Sequence, residues 1–97
     1  MAELVSSEHK AFVVSKIRSL LPDVEILAFG SRIRGDARTY SDLDLALRAE
    51  KPLPLRLLSQ LEESFAESSI PYKIDLSDFA MVDEEFQKII LKNAVRW

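Results

Sequence analysis

Asp42-Leu43-Asp44-Leu45-Ala46-Leu47 is the most regular alternation in the chain and decides how it folds. Residues at i and i+2 of a strand share a face. Leu43, Leu45 and Leu47 therefore line one side, and Asp42, Asp44 and Ala46 the other. Apolar on one side and polar on the other, the segment is a half-buried strand. Working outward, Val24 to Phe29 is a short apolar run that ends in Gly30-Ser31, which predicts a largely buried strand entering a tight turn. Ser31 to Tyr40 is polar and holds Gly35, so only a short, irregular helix fits there.

Upstream, Ser6 or Ser7 caps a first helix whose stripe is Phe12, Val13, Ile17, Leu20 and Leu21, stopped by Pro22. Downstream, Pro52 and Pro54 open a helix carrying Leu55, Leu58, Leu61 and Phe65. After Pro71, Tyr72-Lys73-Ile74-Asp75-Leu76 alternates again and predicts a third strand, with Lys73 and Asp75 on its polar face. Asp83 is the N-cap of a last helix, with Glu84 and Glu85 in its first turn and Phe86, Ile89 and Ile90 as its buried face. The predicted order is α-β-(short α)-β-α-β-α, three strands with helices packed on the sheet. No repeat, low-complexity tract or linker divides the chain, so residues 1–97 read as a single domain.

Two bare carboxylates on one strand face lie ~7 Å apart at the backbone and repel each other in a partly dry site. Divalent cations relieve that repulsion, and oxygen ligands with open positions suit Mg²⁺ or Mn²⁺. Two such ions clamp the attacking and leaving oxygens of an in-line displacement at phosphorus. An Asp-x-Asp alternating with leucines also fits the solvated face of an edge strand, where charge discourages aggregation. Aspartate is nonetheless disfavoured in strands, and Asp42, Asp44 and Asp75 place three on two of them. At the preceding turn, Gly30 permits a close backbone approach and Ser31 an anion-binding helix start, with Arg32 and Arg34 adding positive charge. An ordinary serine-capped turn explains Gly30-Ser31 equally well when it is taken alone. The lysine and glycine spacing of a P-loop are absent.

Composition narrows the class further. Without cysteine there is no disulfide, Cys-ligated zinc or thiol catalysis. Met1-Ala2-Glu3-Leu4 lacks the basic start of a signal peptide, and no apolar run approaches a membrane span, so a cytoplasmic location is expected. A net charge of −3 argues against general nucleic-acid binding. Within that acidic chain Arg32, Arg34 and Arg38 cluster just ahead of the Asp-x-Asp, which suits a site for both a polyanion and metal ions.

Together, Gly30-Ser31-Arg32-Ile33-Arg34-Gly35, Ser41-Asp42-Leu43-Asp44-Leu45 and Ile74-Asp75-Leu76 resemble the DNA polymerase β-type nucleotidyltransferase superfamily. More narrowly, they resemble its minimal nucleotidyltransferases. The shared pattern is a Gly-Ser turn, an Asp-x-Asp about a dozen positions later, and a third acid on a following strand. The resemblance implies an α+β fold with a small mixed sheet rather than an all-parallel one. It implies that Gly30 and Ser31, with Arg32 and Arg34 in the basic turn, hold the triphosphate of ATP or another NTP. Asp42, Asp44 and Asp75 then ligate two Mg²⁺ ions (or Mn²⁺), and Asp75 helps to activate a hydroxyl that attacks the α-phosphorus as pyrophosphate leaves. The chain is too short for the helical domain with which larger superfamily members grip their acceptor. Minimal members are paired with a small helical HEPN-type protein as its antitoxin, and some transfer AMP onto a tyrosine of that partner.

Two other functions fit the same residues: an idle module that masks its partner, and nucleotidylation of a small molecule such as an aminoglycoside. Elsewhere the chain reads as structure. His9 is expected at the surface, Phe65 and Phe86 in the core, and Glu62-Glu63 on a solvated helix face. Trp97 reads either as a partner contact or as an unstructured terminal aromatic.

Overall fold

Among the described residues the chain forms α1 (Ser7–Leu20), β1 (Glu25–Phe29), α2 (Ser31–Arg34), β2 (Leu43–Arg48), α3 (Leu55–Ala66), β3 (Ile74–Asp78), α4 (Glu84–Asn93) and β4 (Val95–Arg96). A 3-10 turn at Phe79–Met81 joins β3 to α4. These elements are those of a computed structural model that describes residues 4–38 and 40–97. The sheet order is β3-β2-β1-β4. Strand β1 runs antiparallel to both β2 and β4, whereas β2 and β3 are parallel. The sheet is therefore mixed, as the resemblance implies. Parallel neighbours need a crossover, and α3 supplies it between β2 and β3.

The alternation of β2 works as its sequence requires. Leu43, Leu45 and Leu47 are fully buried, with Ile26, Ala28, Ile74 and Leu76 in the same apolar cluster. Val13 and Ile17 of α1 and Leu58, Leu61 and Phe65 of α3 complete that cluster. On the opposite face Leu27, Ala46, Phe79 and Ile90 form a smaller one, so α4 covers only part of it. The end of that face carrying Phe29, Asp44 and Asp75 stays half-buried. One face thus holds the fold together, and the other leaves its polar end reachable.

The helix starts follow their caps. Ser6 Oγ accepts the His9 N–H at 3.1 Å, and Asp83 Oδ1 accepts the Phe86 N–H at 3.0 Å. Each satisfies a helix-end donor that would otherwise go unpaired.

Several expectations need correction. Asp42 stands one residue ahead of β2, and β3 begins at Ile74 rather than Tyr72 and continues to Asp78. Asp78 is buried because its carboxylate accepts the N–H groups of Leu53 and Ala80, at 2.7 and 3.1 Å. There is a fourth strand that the sequence did not signal. It is two residues long, too short to alternate, and Trp97 extends its pairing by donating its N–H to the Ile26 carbonyl at 2.9 Å. Phe86 and Ile89 are not core: α4 buries Ile90 alone, and those two stay largely exposed. Phe12, Leu20 and Leu55 are likewise exposed at the margins of their helices. Trp97 packs half-buried against the main core, with the Lys10 ammonium 5.3 Å from its ring.

Candidate active site

Strand β1 ends against β2 with Phe29 opposite Asp44, so the next residue, Gly30, falls beside the Asp44 carboxylate. Gly30 has φ 87° and ψ −169°, a conformation essentially confined to glycine. A Cβ there would also run into Asp44 Oδ2, so the turn demands glycine twice over. Ser31 then opens the single turn of α2, which Gly35 closes in the left-handed region (φ 88°) by donating its N–H to the Ser31 carbonyl.

The parallel register places Asp75 directly opposite Asp44 on adjacent strands, whose backbones lie ~4.8 Å apart. Both side chains occupy the same half-buried end of the sheet face. Asp42, two residues before Asp44, is exposed. Burial pushes the Asp44 carboxyl up to about 6; the charges of Asp75 and then Asp42 add to the rise, and Arg34 opposes it. That ordering identifies Asp44 as the point on which the negative charge converges.

Among the described residues, no three acidic, imidazole or thiol side chains are drawn close enough together to hold a metal ion by themselves. The donor set nevertheless fits a hard divalent cation, because Mg²⁺ binds through one or two carboxylates and completes its shell with water and substrate phosphate. A cleft of about 360 Å³ opens beside Asp44. Gly30, Ser31, Arg34 and Asp44 form one wall, and Phe86 and Ile89 of α4 the other. A larger hollow of about 530 Å³, between Glu62, Phe65, Tyr72 and Lys73, is lined by none of the candidate site residues.

The two arginines of the turn part company. Arg34 is exposed, lines the cleft and makes a loose 3.4 Å pair with Asp36. Arg32 is buried. Its Nε donates to the Ser41 carbonyl at 2.7 Å, Nη1 to the Leu4 carbonyl at 3.0 Å and Nη2 to the Arg38 carbonyl at 3.4 Å. Its guanidinium carbon lies 3.7 Å from the centre of the Tyr72 ring. The structure therefore does not bring Arg32 to the cleft with Gly30, Ser31 and Arg34. Tyr72 in turn shares a 3.1 Å hydrogen bond with His9 Nδ1, so His9 is half-buried and partnered rather than a plain surface residue. Burial holds the Tyr72 hydroxyl above its ordinary range, with the Arg32 charge pulling the other way.

Residues 15–96 match the family described as "Polymerase beta, Nucleotidyltransferase". The chain belongs to that family. Nucleotidyltransferases of this family generally use divalent metals. The nucleotidyltransferase is 44% identical over 88 residues to "Probable protein adenylyltransferase MntA" of Haemophilus influenzae, an alignment covering 91% of this chain and 77% of the relative. Its fold is similar to that of a toxin-antitoxin crystallised with AMP-PNP, with a TM-score of 0.79 at 22% identity over 91% of this chain and 72% of the other. It is also similar to the toxin-antitoxin MntA-HepT, with a TM-score of 0.73 at 19% identity over 95% and 72%.

Sequence reasoning missed the second wall of the cleft and the contact between Arg32 and Tyr72. Phe86 and Ile89 carry ordinary helical periodicity, which says apolar without saying covered. An arginine bonded to three carbonyls leaves no trace in spacing at all.

Proposed function

We propose that this nucleotidyltransferase, acting as one domain over residues 1–97, transfers AMP from ATP to a tyrosine hydroxyl of a small helical HEPN-type partner and serves as that partner's antitoxin. The reading is carried by one observation: Asp44 and Asp75 in register on parallel strands, with the Gly30-Ser31 turn closed against Asp44. The relative's name as a protein adenylyltransferase supports the reaction, and fold neighbours crystallised with AMP-PNP and as MntA-HepT support the donor and the kind of partner. A cytoplasmic location, where ATP and Mg²⁺ are both supplied, goes with this reading.

In this reading Gly30 and Ser31 receive the triphosphate, with Arg34 supplying positive charge from the cleft wall. Asp42, Asp44 and Asp75 hold Mg²⁺, with a pair of ions as the working number. Bound there, the cation supplies neutralisation of the carboxylates and the phosphates. Asp75 takes the proton of the acceptor hydroxyl. The hydroxyl oxygen forms a bond to the α-phosphorus, the bond from that phosphorus to the bridging oxygen breaks, and pyrophosphate leaves with the electron pair. The chain's share is orientation and charge placement, which dominate phosphoryl-group transfer.

Incubating the chain with α-labelled ATP, Mg²⁺ and a candidate HEPN-type partner tests this. Label on a partner tyrosine is the expected result. A stable but unlabelled complex would instead support masking of the partner, and label on an added aminoglycoside would support small-molecule modification.

A further inference from the structure

We infer that Arg32 is a positioning residue for the metal-binding acids rather than a phosphate ligand, acting as a clasp that fixes the segment leading into Asp42. This inference rests on the metal-dependent reading of the site given above.

Three segments meet at its side chain. The first is the loop before β2, where the Arg38 and Ser41 carbonyls accept from Arg32 and Ser41 is the residue next to Asp42. The second is the approach to α1, tied in both directions: Arg32 Nη1 donates to the Leu4 carbonyl, and the Leu4 N–H donates to the Arg32 carbonyl at 2.8 Å. The third is the lead-in to β3, where Tyr72 presents its ring face to the guanidinium three residues before Asp75. The lead-ins are themselves joined, since the Leu43 N–H donates to the Lys73 carbonyl at 2.9 Å. The segments carrying Asp42, Asp44 and Asp75 therefore all start from points tied to this one buried group.

The chemistry of the group explains the choice of residue. A guanidinium presents several N–H donors in one rigid plane and stacks flat on an aromatic ring, and an ammonium does neither. Ser41 reinforces the same loop, accepting the Arg38 N–H at its hydroxyl (2.9 Å) while its own N–H donates to the Arg38 carbonyl (3.1 Å). Asp42 is exposed and lies outside β2, so its placement depends on this loop more than on the sheet. Groups that orient metal ligands without touching the metal typically matter by ~10- to 100-fold in affinity or activity.

Arg32→Lys keeps the charge and removes the plane. Mn²⁺ titration followed by the electron paramagnetic resonance signal of the free ion should show Mn²⁺ binding weakened by ~10-fold or more. Turnover in the transfer assay should fall by a similar factor, with KM for ATP nearly unchanged. Tyr72→Leu leaves Arg32 in place without its ring and should move Mn²⁺ binding in the same direction, which serves if Arg32→Lys does not fold. Leu61→Val, a core change on α3, should leave Mn²⁺ binding intact and so separate the clasp from general loss of stability. Unchanged Mn²⁺ binding in Arg32→Lys with a raised KM for ATP would make Arg32 a phosphate contact and overturn the inference. Unchanged Mn²⁺ binding and turnover would overturn it as well. If the wild-type chain itself binds no Mn²⁺, the metal-dependent reading falls first and the clasp falls with it.

Discussion

Gly30 and Asp44 are fitted together with no room for a side chain between them. A Cβ on Gly30 would lie 3.2 Å from Asp44 Cγ and closer still to one carboxylate oxygen. Gly30→Ala therefore combines backbone strain at φ 87° with displacement of the carboxylate. The expected cost is about 1–3 kcal/mol, seen as a lower urea midpoint. Transfer should be lost even under conditions where the variant is fully folded. A variant of unchanged midpoint and full activity would contradict this geometry.

Asp44 gives the site a pH signature. Its carboxyl rises from 3.8 to about 6 on folding, so folding takes up a proton between those values. Stability from this group is fully present below the lower value and is lost as pH climbs through the upper one. Asp44→Asn removes the penalty. Solvent screening at this half-buried group limits the gain to about 1 kcal/mol at pH 7, or a Tm higher by about 4 °C or more in metal-free buffer. No gain is expected below pH 4. Added Mn²⁺ should reverse the ranking, because only the wild type then binds the ion tightly.

Asp42→Ala should separate activity from folding. The side chain is exposed, so stability should stay within about 0.5 kcal/mol of wild type. Transfer should fall by about 10²-fold or more. Undiminished transfer would remove Asp42 from the site.

Helix α4 offers a paired test of packing. Ile90 is fully buried, and Ile90→Ala should cost about 2–5 kcal/mol in denaturant unfolding. Its neighbour Ile89 is 53% exposed, and Ile89→Ala should cost about 0.5 kcal/mol or less. Equal losses at both positions would mean that α4 sits on the sheet differently.

What could be read from the sequence followed how locally each feature is encoded. The three alternating leucines of β2, the caps at Ser6 and Asp83, and the glycine turn are specified by residues within a few positions of one another. The pairing of Asp44 with Asp75 joins segments far apart in the chain, and only the family pattern pointed to it. Strand β4 forms because β1 has a free edge, a fact about the sheet rather than about Val95 and Arg96. The exposure of Phe86 and Ile89 depends on how far α4 reaches across that sheet, which no helical periodicity encodes. Arg32 was grouped with Arg34 by proximity in sequence, yet one lies buried under a tyrosine and the other faces the cleft.

If Asp42, Asp44 and Asp75 act as proposed, the strand order also bears on when the enzyme becomes competent. The antiparallel pair β1 and β2 is a near-neighbour closure that brings the glycine bend to Asp44, whereas the parallel partner arrives only after the α3 crossover has docked. Contacts of larger sequence separation carry a larger closure entropy and form later. A ribosome-bound chain that has emerged only as far as α3 would own the bend and two of the acids yet remain inert. On the proposed assignment of the acids, catalytic power waits on a long-range step of folding that the glycine bend does not need.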